Sequence, residues 1–133
     1  MTSETQIREL LHRWATATRD GDDEAVLSNH ASDVLIVDVL APLQYQGAEA
    51  YRKSWEEWQP SSEGESLFEL PDLAITAGEE VAFCSCLIQC GGTSPTGKKT
   101  RDWVRATFCL TKPDGKWMVR HQPISMPVSR KGD

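Results

Sequence analysis

The chain holds 133 residues, 39% of them apolar and 26% charged, a balance that fits one globular domain of roughly 100 to 200 residues and excludes a disordered chain. At that length a compact fold hides about two thirds of the surface of the unfolded chain, so no disulfide or structural metal is required. Asp and Glu number 20 against 14 Lys and Arg, for a net charge of -6; the basic residues are scattered, so no nucleic-acid partner is expected.

The N-terminal segment predicts a helix. Ser3 with Gln6 fits a capping box, and Ile7, Leu10, Leu11, Trp14, Ala17 and Thr18 recur at the 3.6-residue period until Gly21 stops it. Asp22 or Asp23 caps a second, shorter helix to about Ala31, its acidic first turn suited to the positive end of the dipole. His12 and His30 have no ligand-spaced partner and read as helix surface or packing residues. The β-branched apolar run at 34–40 predicts a strand buried on both faces, ended or bent by Ala41-Pro42. Gly47 opens a third helix, 48 to about 59, on which Tyr51, Trp55 and Trp58 form one aromatic stripe.

After the loop at 60–64 the chain reads as strand and turn: 67–76 interrupted by Pro71, 81–90, 99–111 and 116–126. Turns at 77–80, a longer hairpin loop at 91–97 and the tight turn Pro113-Asp114-Gly115 join them. From about 128 the tail looks frayed. Helices followed by a meander predict an α+β fold, one domain over 1–133, with a curved antiparallel sheet packed against about three N-terminal helices and enclosing a conical pocket. The chain has no apolar run of the roughly 18 residues a membrane span needs, and no basic-then-apolar leader, so the expectation is a cytoplasmic protein without a membrane partner.

Cys84, Cys86 and Cys90 share one face of their strand, and two-residue spacing lacks the loop geometry of structural zinc. With Cys109 they read as small apolar filler rather than redox or metal groups. No glycine-rich phosphate loop, GxSxG or HExxH is present, and no metal or organic cofactor is expected.

Asp38 is the only charge within 34–40. A carboxylate there must be paired, lie at a strand end or face a cavity, and apolar surroundings favour its protonated form, which suits a general base near neutrality. The plain alternative is a sheet-margin residue capping a turn before Pro42. On 103–111 alternation puts Trp103, Arg105, Thr107 and Cys109 on one face and a more apolar set on the other. If the faces carrying Trp103 and Trp117 line the pocket, Arg105 and His121 point inward toward Asp38 as a cation and a switchable imidazole; otherwise they are an ion-pair residue and a wall residue. Trp14, Tyr51, Trp55, Trp58 and Trp103 are either core or an aromatic wall for a planar apolar ligand.

The opening helix ending in Arg19-Asp20-Gly21-Asp22, the strand Ile36-Val37-Asp38-Val39 followed by Gly47 and a helix, and the closing Asp114-Gly115-Lys116-Trp117-Met118-Val119-Arg120-His121 together resemble the NTF2-like superfamily, close to SnoaL-like and ketosteroid-isomerase-like proteins, from about Gln6 to Pro127. The resemblance implies a cone of sheet and helices, commonly dimeric, whose pocket hosts isomerases, aldol cyclases, epoxide hydrolases, dehydratases and noncatalytic binders. It places Asp38 at the proton-shuttling Asp of the ketosteroid isomerases, which work beside an oxyanion hole of a Tyr and a protonated Asp. Trp14 stands where that Tyr would be. Asp102 falls several residues early for the second Asp, the better aligned position being near Arg105 or Thr107, and alternation sets Asp102 on the face opposite Arg105.

The leading expectation is an isomerase- or cyclase-type enzyme in which Asp38 abstracts a proton next to the carbonyl of an apolar cyclic substrate, with Arg105, His121 or Trp14 stabilising the enolate oxygen. The alternative is a noncatalytic ligand-binding or dimerisation module. Epoxide opening through Asp38, Arg105 and Asp102 ranks last.

Overall fold

The computed structural model describes residues 2–58, 67–93 and 96–128, without the side chains of 56–58. The loop expected at 60–64, part of the hairpin loop at 91–97, the side chain of Trp58 and the tail after 128 lie outside the described residues.

Helix α1 (Ser3–Asp20) is capped one residue earlier than expected, because Thr2 is extended and its Oγ1 accepts the Thr5 N–H at 3.2 Å. It ends on Gly21 at φ 74, a left-handed conformation that glycine adopts without a Cβ clash. Its periodic face, Ile7, Leu10, Leu11 and Trp14, is buried. Helix α2 (Asp23–Leu27) is capped by Asp22, whose carboxylate accepts the Ala25 N–H. It stops at Ser28, so His30 belongs to strand β1 (His30–Val37) and not to a helix. That strand leaves Asp38 just beyond its end.

Strand β2 (Tyr45–Gln46) pairs with β1, and Gly47, at φ 94, turns the chain into α3 (Ala48–Trp58) while its N–H bonds Val34 O at 2.8 Å. The stretch broken by Pro71 becomes β3 (Leu67–Glu69) and β4 (Ala74–Ala77), both antiparallel to β5 (Val81–Gly91). β6 (Asp102–Thr111), a single 3-10 turn at Pro113–Gly115 and β7 (Met118–Ser125) complete the fold.

The strand order is β2-β1-β7-β6-β5-β3, with β4 also on β5, in a curved and unclosed sheet. The expected purely antiparallel sheet is corrected in one place: β1 and β7 run parallel. The chain leaves β1 through β2 and α3, crosses to β5, and returns strand by strand, so β7 arrives beside β1 in the same direction.

Along β5 and β6 one face is buried, at Ala82, Cys84, Cys86 and Ile88 and at Val104, Ala106, Phe108 and Leu110. These pack with Ile7, Leu11, Val34 and Ile36 into one core. Each large apolar side chain there contributes about 1.5 to 3 kcal/mol of burial, which holds the helices on this inner face.

β7 carries a bulge. Cys109 faces His121 but Leu110 faces Val119, so β7 spends one extra residue against β6. Inward positions change parity across it: Trp117 and Val119 are buried before the bulge, Gln122 and Ile124 after it.

Candidate functional site

Asp38 follows β1 at half-buried depth, and both of its oxygens are engaged. Oδ1 accepts the Val39 N–H at 2.8 Å, and Oδ2 accepts the Tyr51 hydroxyl at 3.0 Å. Asp38 alternates onto the face of Val34 and Ile36, both fully buried. Tyr51 reaches it from the first turns of α3, where the buried phenol packs edge-on to Tyr45 and Trp55 at 5.3 and 6.2 Å. Burial, then the Asp38 charge, hold the Tyr51 proton well above the ordinary phenol value, against the opposing hydrogen bond from Trp55. The phenol therefore remains a neutral donor to the carboxylate across the physiological range.

Two further polar side chains come from β5 and β6, a half-buried Cys90 and an exposed Asp102. Cys90 and Asp102 are direct cross-strand partners, so they share the inner face of Val104. Burial pushes the Cys90 thiol up, and the charges of Asp102 and Asp38 push it further, in that order. The thiol thus feels the carboxylate of β6 and the one that follows β1. Asp102 does lie opposite Arg105, as alternation predicts; that is the inner face, so Asp102 accompanies Asp38 and Arg105 does not.

Deeper in the core Trp14 stands edge-on to Phe68 and Phe108, with centroids 5.2 and 5.0 Å away, and its Nε1 has no hydrogen-bond partner among the described residues. Gln122, opposite Ile36, is fully buried and touches the imidazole of His30. Burial lowers the pKa of His30, against the raising effect of Gln122, so the ring favours its neutral form.

Three residues expected to face the interior do not. Trp103 and Arg105 lie on the exposed face of β6, where the Arg105 Nε–H donates to Ser125 Oγ at 3.1 Å. His121 pairs across from Cys109 on that outer face, and its Nδ1 is 3.0 Å from the carbonyl oxygen of Leu35, itself an outward residue. For His121 the bulge is the reason: Trp117 is inward as alternation suggests, but the extra residue reverses the parity before His121; on β6 the more apolar set at Val104, Ala106, Phe108 and Leu110 takes the inner face and turns Trp103 and Arg105 out. Trp14 and Tyr51 are buried and Trp55 partly so. The sequence does not mark Gln122 or His30 as site residues, because Gln122 needs the bulge and His30 the early end of α2, whereas Asp102, weighed there as a second carboxylate, owes its side of the sheet to the inner-face assignment.

A groove of about 730 Å³ follows the solvent side of α1, lined by Arg8, Glu9, His12, Arg13, Thr16 and Asp20 among others. It contains no residue of the Asp38 constellation. Among the described residues no group of three or more His, Cys, Asp or Glu side chains could hold a metal ion, and no helix is long and apolar enough to cross a membrane.

The family model for a SnoaL-like domain matches residues 7–129. The chain belongs to that family. This SnoaL-like chain is 29% identical to an NTF2-like protein of unknown function from Pseudomonas putida KT2440, with a TM-score of 0.85 over 98% of this chain and 92% of that one. A ketosteroid isomerase-like protein from Erwinia carotovora atroseptica SCRI1043 superposes with a TM-score of 0.77 at 17% identity, covering 97% and 100% of the two chains. An NTF2-like superfamily protein from Salmonella enterica serovar Typhimurium LT2 gives 0.79 at 13% identity, over 94% and 91%. These likenesses establish the NTF2-like α+β cone fold. No curated protein matches the chain significantly.

Proposed function

We propose that the chain is a cofactor-independent proton-transfer enzyme of the isomerase or cyclase type, acting on an apolar cyclic carbonyl compound. The observation that carries this reading is Asp38: a half-buried carboxylate just past a strand that buries one face and not both, oriented through both oxygens and backed by the neutral phenol of Tyr51. Asp38 takes the proton from the carbon next to the carbonyl, and the C–H electron pair moves into the C–C bond while the carbonyl oxygen gains charge. That oxygen requires preorganised donors in a dry setting. Trp14 Nε1 and Gln122 Nε2, buried and without partners among the described residues, supply the N–H chemistry for it, in place of the outward Arg105 and His121. Where the substrate carries a C=C bond one carbon further along, the enolate is a dienolate, and return of the proton from Asp38 to its far carbon moves the double bond into conjugation and completes an isomerisation. Tyr51, Trp55 and Trp14 offer aromatic surface to the ring of the substrate.

The test is α-hydrogen exchange of cyclohexanone in D2O, followed by proton NMR. Wild-type protein accelerates exchange over buffer and Asp38→Asn loses that acceleration while remaining folded. Exchange at the same rate with both proteins removes Asp38 from the reaction.

A second reading concerns assembly, and a separate observation favours it. The outer face of β5 and β6 exposes Val81, Phe83, Leu87 and Trp103. Outward positions on β5, on β6 and on β7 after the bulge carry no Asp or Glu, in a chain of net charge -6. An apolar surface without like charge suits a second copy of the chain, and we propose a homodimer through this face.

A further inference from the structure

His121 and Arg105 have no part in the proposed reaction, yet the sheet sets both on its outer face. The register fixes the rows of that face. Phe83 lies opposite Cys109 and Cys109 opposite His121, while Leu87 lies opposite Arg105 and Arg105 opposite Ser125. Neighbouring strands stand about 4.8 Å apart, so the backbone of His121 is roughly 10 Å from that of Phe83. A standard interface covers about 800 Å² of each partner, a disc of roughly 16 Å radius. A contact of that size centred near the exposed Phe83 and Leu87 therefore covers the imidazole.

One nitrogen of that ring is committed and the other is not. Nδ1 lies 3.0 Å from the carbonyl oxygen of Leu35, and a carbonyl oxygen only accepts, so Nδ1 carries a hydrogen. The proton that comes and goes with pH is then the one on Nε2, and the ring keeps its tie to β1 in both states. An imidazole ordinarily changes charge between about pH 8 and pH 5.

The neighbours of the ring decide what that charge does. On β7 itself, Arg120 holds the Asp33 carboxylate of β1 at 3.3 Å, an exposed pair whose charges cancel. β6 presents the thiol of Cys109 and the guanidinium of Arg105, whose Nε–H donates to the uncharged Ser125 hydroxyl. Outward positions on β5, on β6 and on β7 after the bulge hold no Asp or Glu to balance it. Each copy thus brings the charge of Arg105 to the face while His121 is neutral, and twice that charge once Nε2 is protonated. Two copies meeting there in acid would bury like charges with no carboxylate on those strand positions to receive them.

We propose that pairing of two copies through the outer sheet face is released by acid, with His121 as the group that takes up the proton. This rests on the homodimer proposed for the same face and adds its control: a dimer at neutral pH and separate chains in mild acid. Association expels the proton from each ring, so by linkage the dissociation constant rises as pH falls through the imidazole range.

The test is sedimentation equilibrium of the wild type at about pH 7.5 and about pH 5.5, with circular dichroism to follow the fold at both. The dissociation constant is expected to rise at least about ten-fold at the lower pH. It is expected to stay constant in His121→Asn, whose amide N–H replaces the Nδ1–H toward Leu35. His30, buried in the core, is present in both proteins, so its titration cannot produce the difference. His121→Lys carries its charge without acid and is expected to be monomeric at about pH 7.5. A wild-type dimer equally strong at both pH values overturns the proposal and leaves the dimer standing. So does a His121→Asn dimer that weakens in acid as the wild type does, or a His121→Lys dimer as strong as the wild type. A wild type that is monomeric even at neutral pH removes the dimer and the proposal together. If acid unfolds the wild type, the His121→Lys comparison at neutral pH decides; if that variant does not fold, the two wild-type constants do.

Discussion

The hydroxyl of Tyr51 donates to Oδ2 of Asp38 across 3.0 Å, tying the end of β1 to the first turns of α3. Tyr51→Phe keeps the ring packing and removes this donor. Stability should fall by about 1 kcal/mol, the usual worth of one such hydrogen bond, read from the urea midpoint at pH 7. The alkaline limb gives a second readout. The folded-state pKa of Tyr51 is raised from 10.0, so its contribution is complete below that value and is lost as pH rises through the higher folded one. Cys84 and Cys86, raised from 9.0 to about 11 and about 12 by burial first, act in the same direction from pH 9 upward. Stability of the wild type should therefore decline above pH 9 to 10, and less steeply in Tyr51→Phe. Identical slopes would show that the phenol is not held by the fold.

His30 works at the other end of the scale. Its folded pKa is lowered from 6.5 by burial. The unfolded chain then takes up a proton before the folded one does, and the stability present above the unfolded value is lost as pH falls toward the folded value. The urea midpoint of the wild type should drop as pH falls below 6.5, and the drop should be smaller in a His30→Phe, Gln122→Leu double variant. Parallel pH profiles for the two proteins would exclude His30 as the source.

Gly47 sits at φ +94, and a Cβ built there would stand 3.3 Å from the carbonyl oxygen of Ser32. Gly47→Ala should cost about 1 to 3 kcal/mol, as expected for a side chain forced into this backbone region. Because Gly47 sets the entry of α3, the same variant should weaken the Tyr51 contact and slow exchange of cyclohexanone beyond what lost stability explains. A variant as stable as the wild type would mean that the turn can readjust.

Phe83 is 57% exposed on the outer sheet face. If two copies meet there, Phe83→Asp places a like charge in each half of the interface, and sedimentation should show a dimer for the wild type and a monomer for the variant. A wild-type monomer at high protein concentration would discard the assembly reading. Because the residue faces away from the core, thermal unfolding of the variant should start from an intact fold.

The helices were readable because their signals are local. The period of Ile7, Leu10, Leu11 and Trp14, the stop at Gly21 and the cap at Asp22 all depend on residues within a turn or two of one another. Asp38 stood out for a similar reason, as a single charge inside an apolar run. His30 was misread because a helix of five residues ends on a weak signal at Ser28, and no local pattern tells its last turn from the start of a strand. On β6 the more apolar set at Val104, Ala106, Phe108 and Leu110 already pointed to the inner face, and the structure follows that signal rather than Trp103.

What the sequence by itself determined is the fold class, the three helices, the strands after them and the prominence of Asp38, because periodicity, capping and the cost of burying a charge act over short stretches of chain. What only the tertiary structure decided is which side chains meet: the parallel pairing of β1 with β7, the bulge that turns His121 out and Gln122 in, and the approach of Tyr51 to Asp38. A strand reverses its faces for one extra residue, and that residue is chosen by the register of a neighbour far away in the chain, so alternation alone cannot assign a face beyond it.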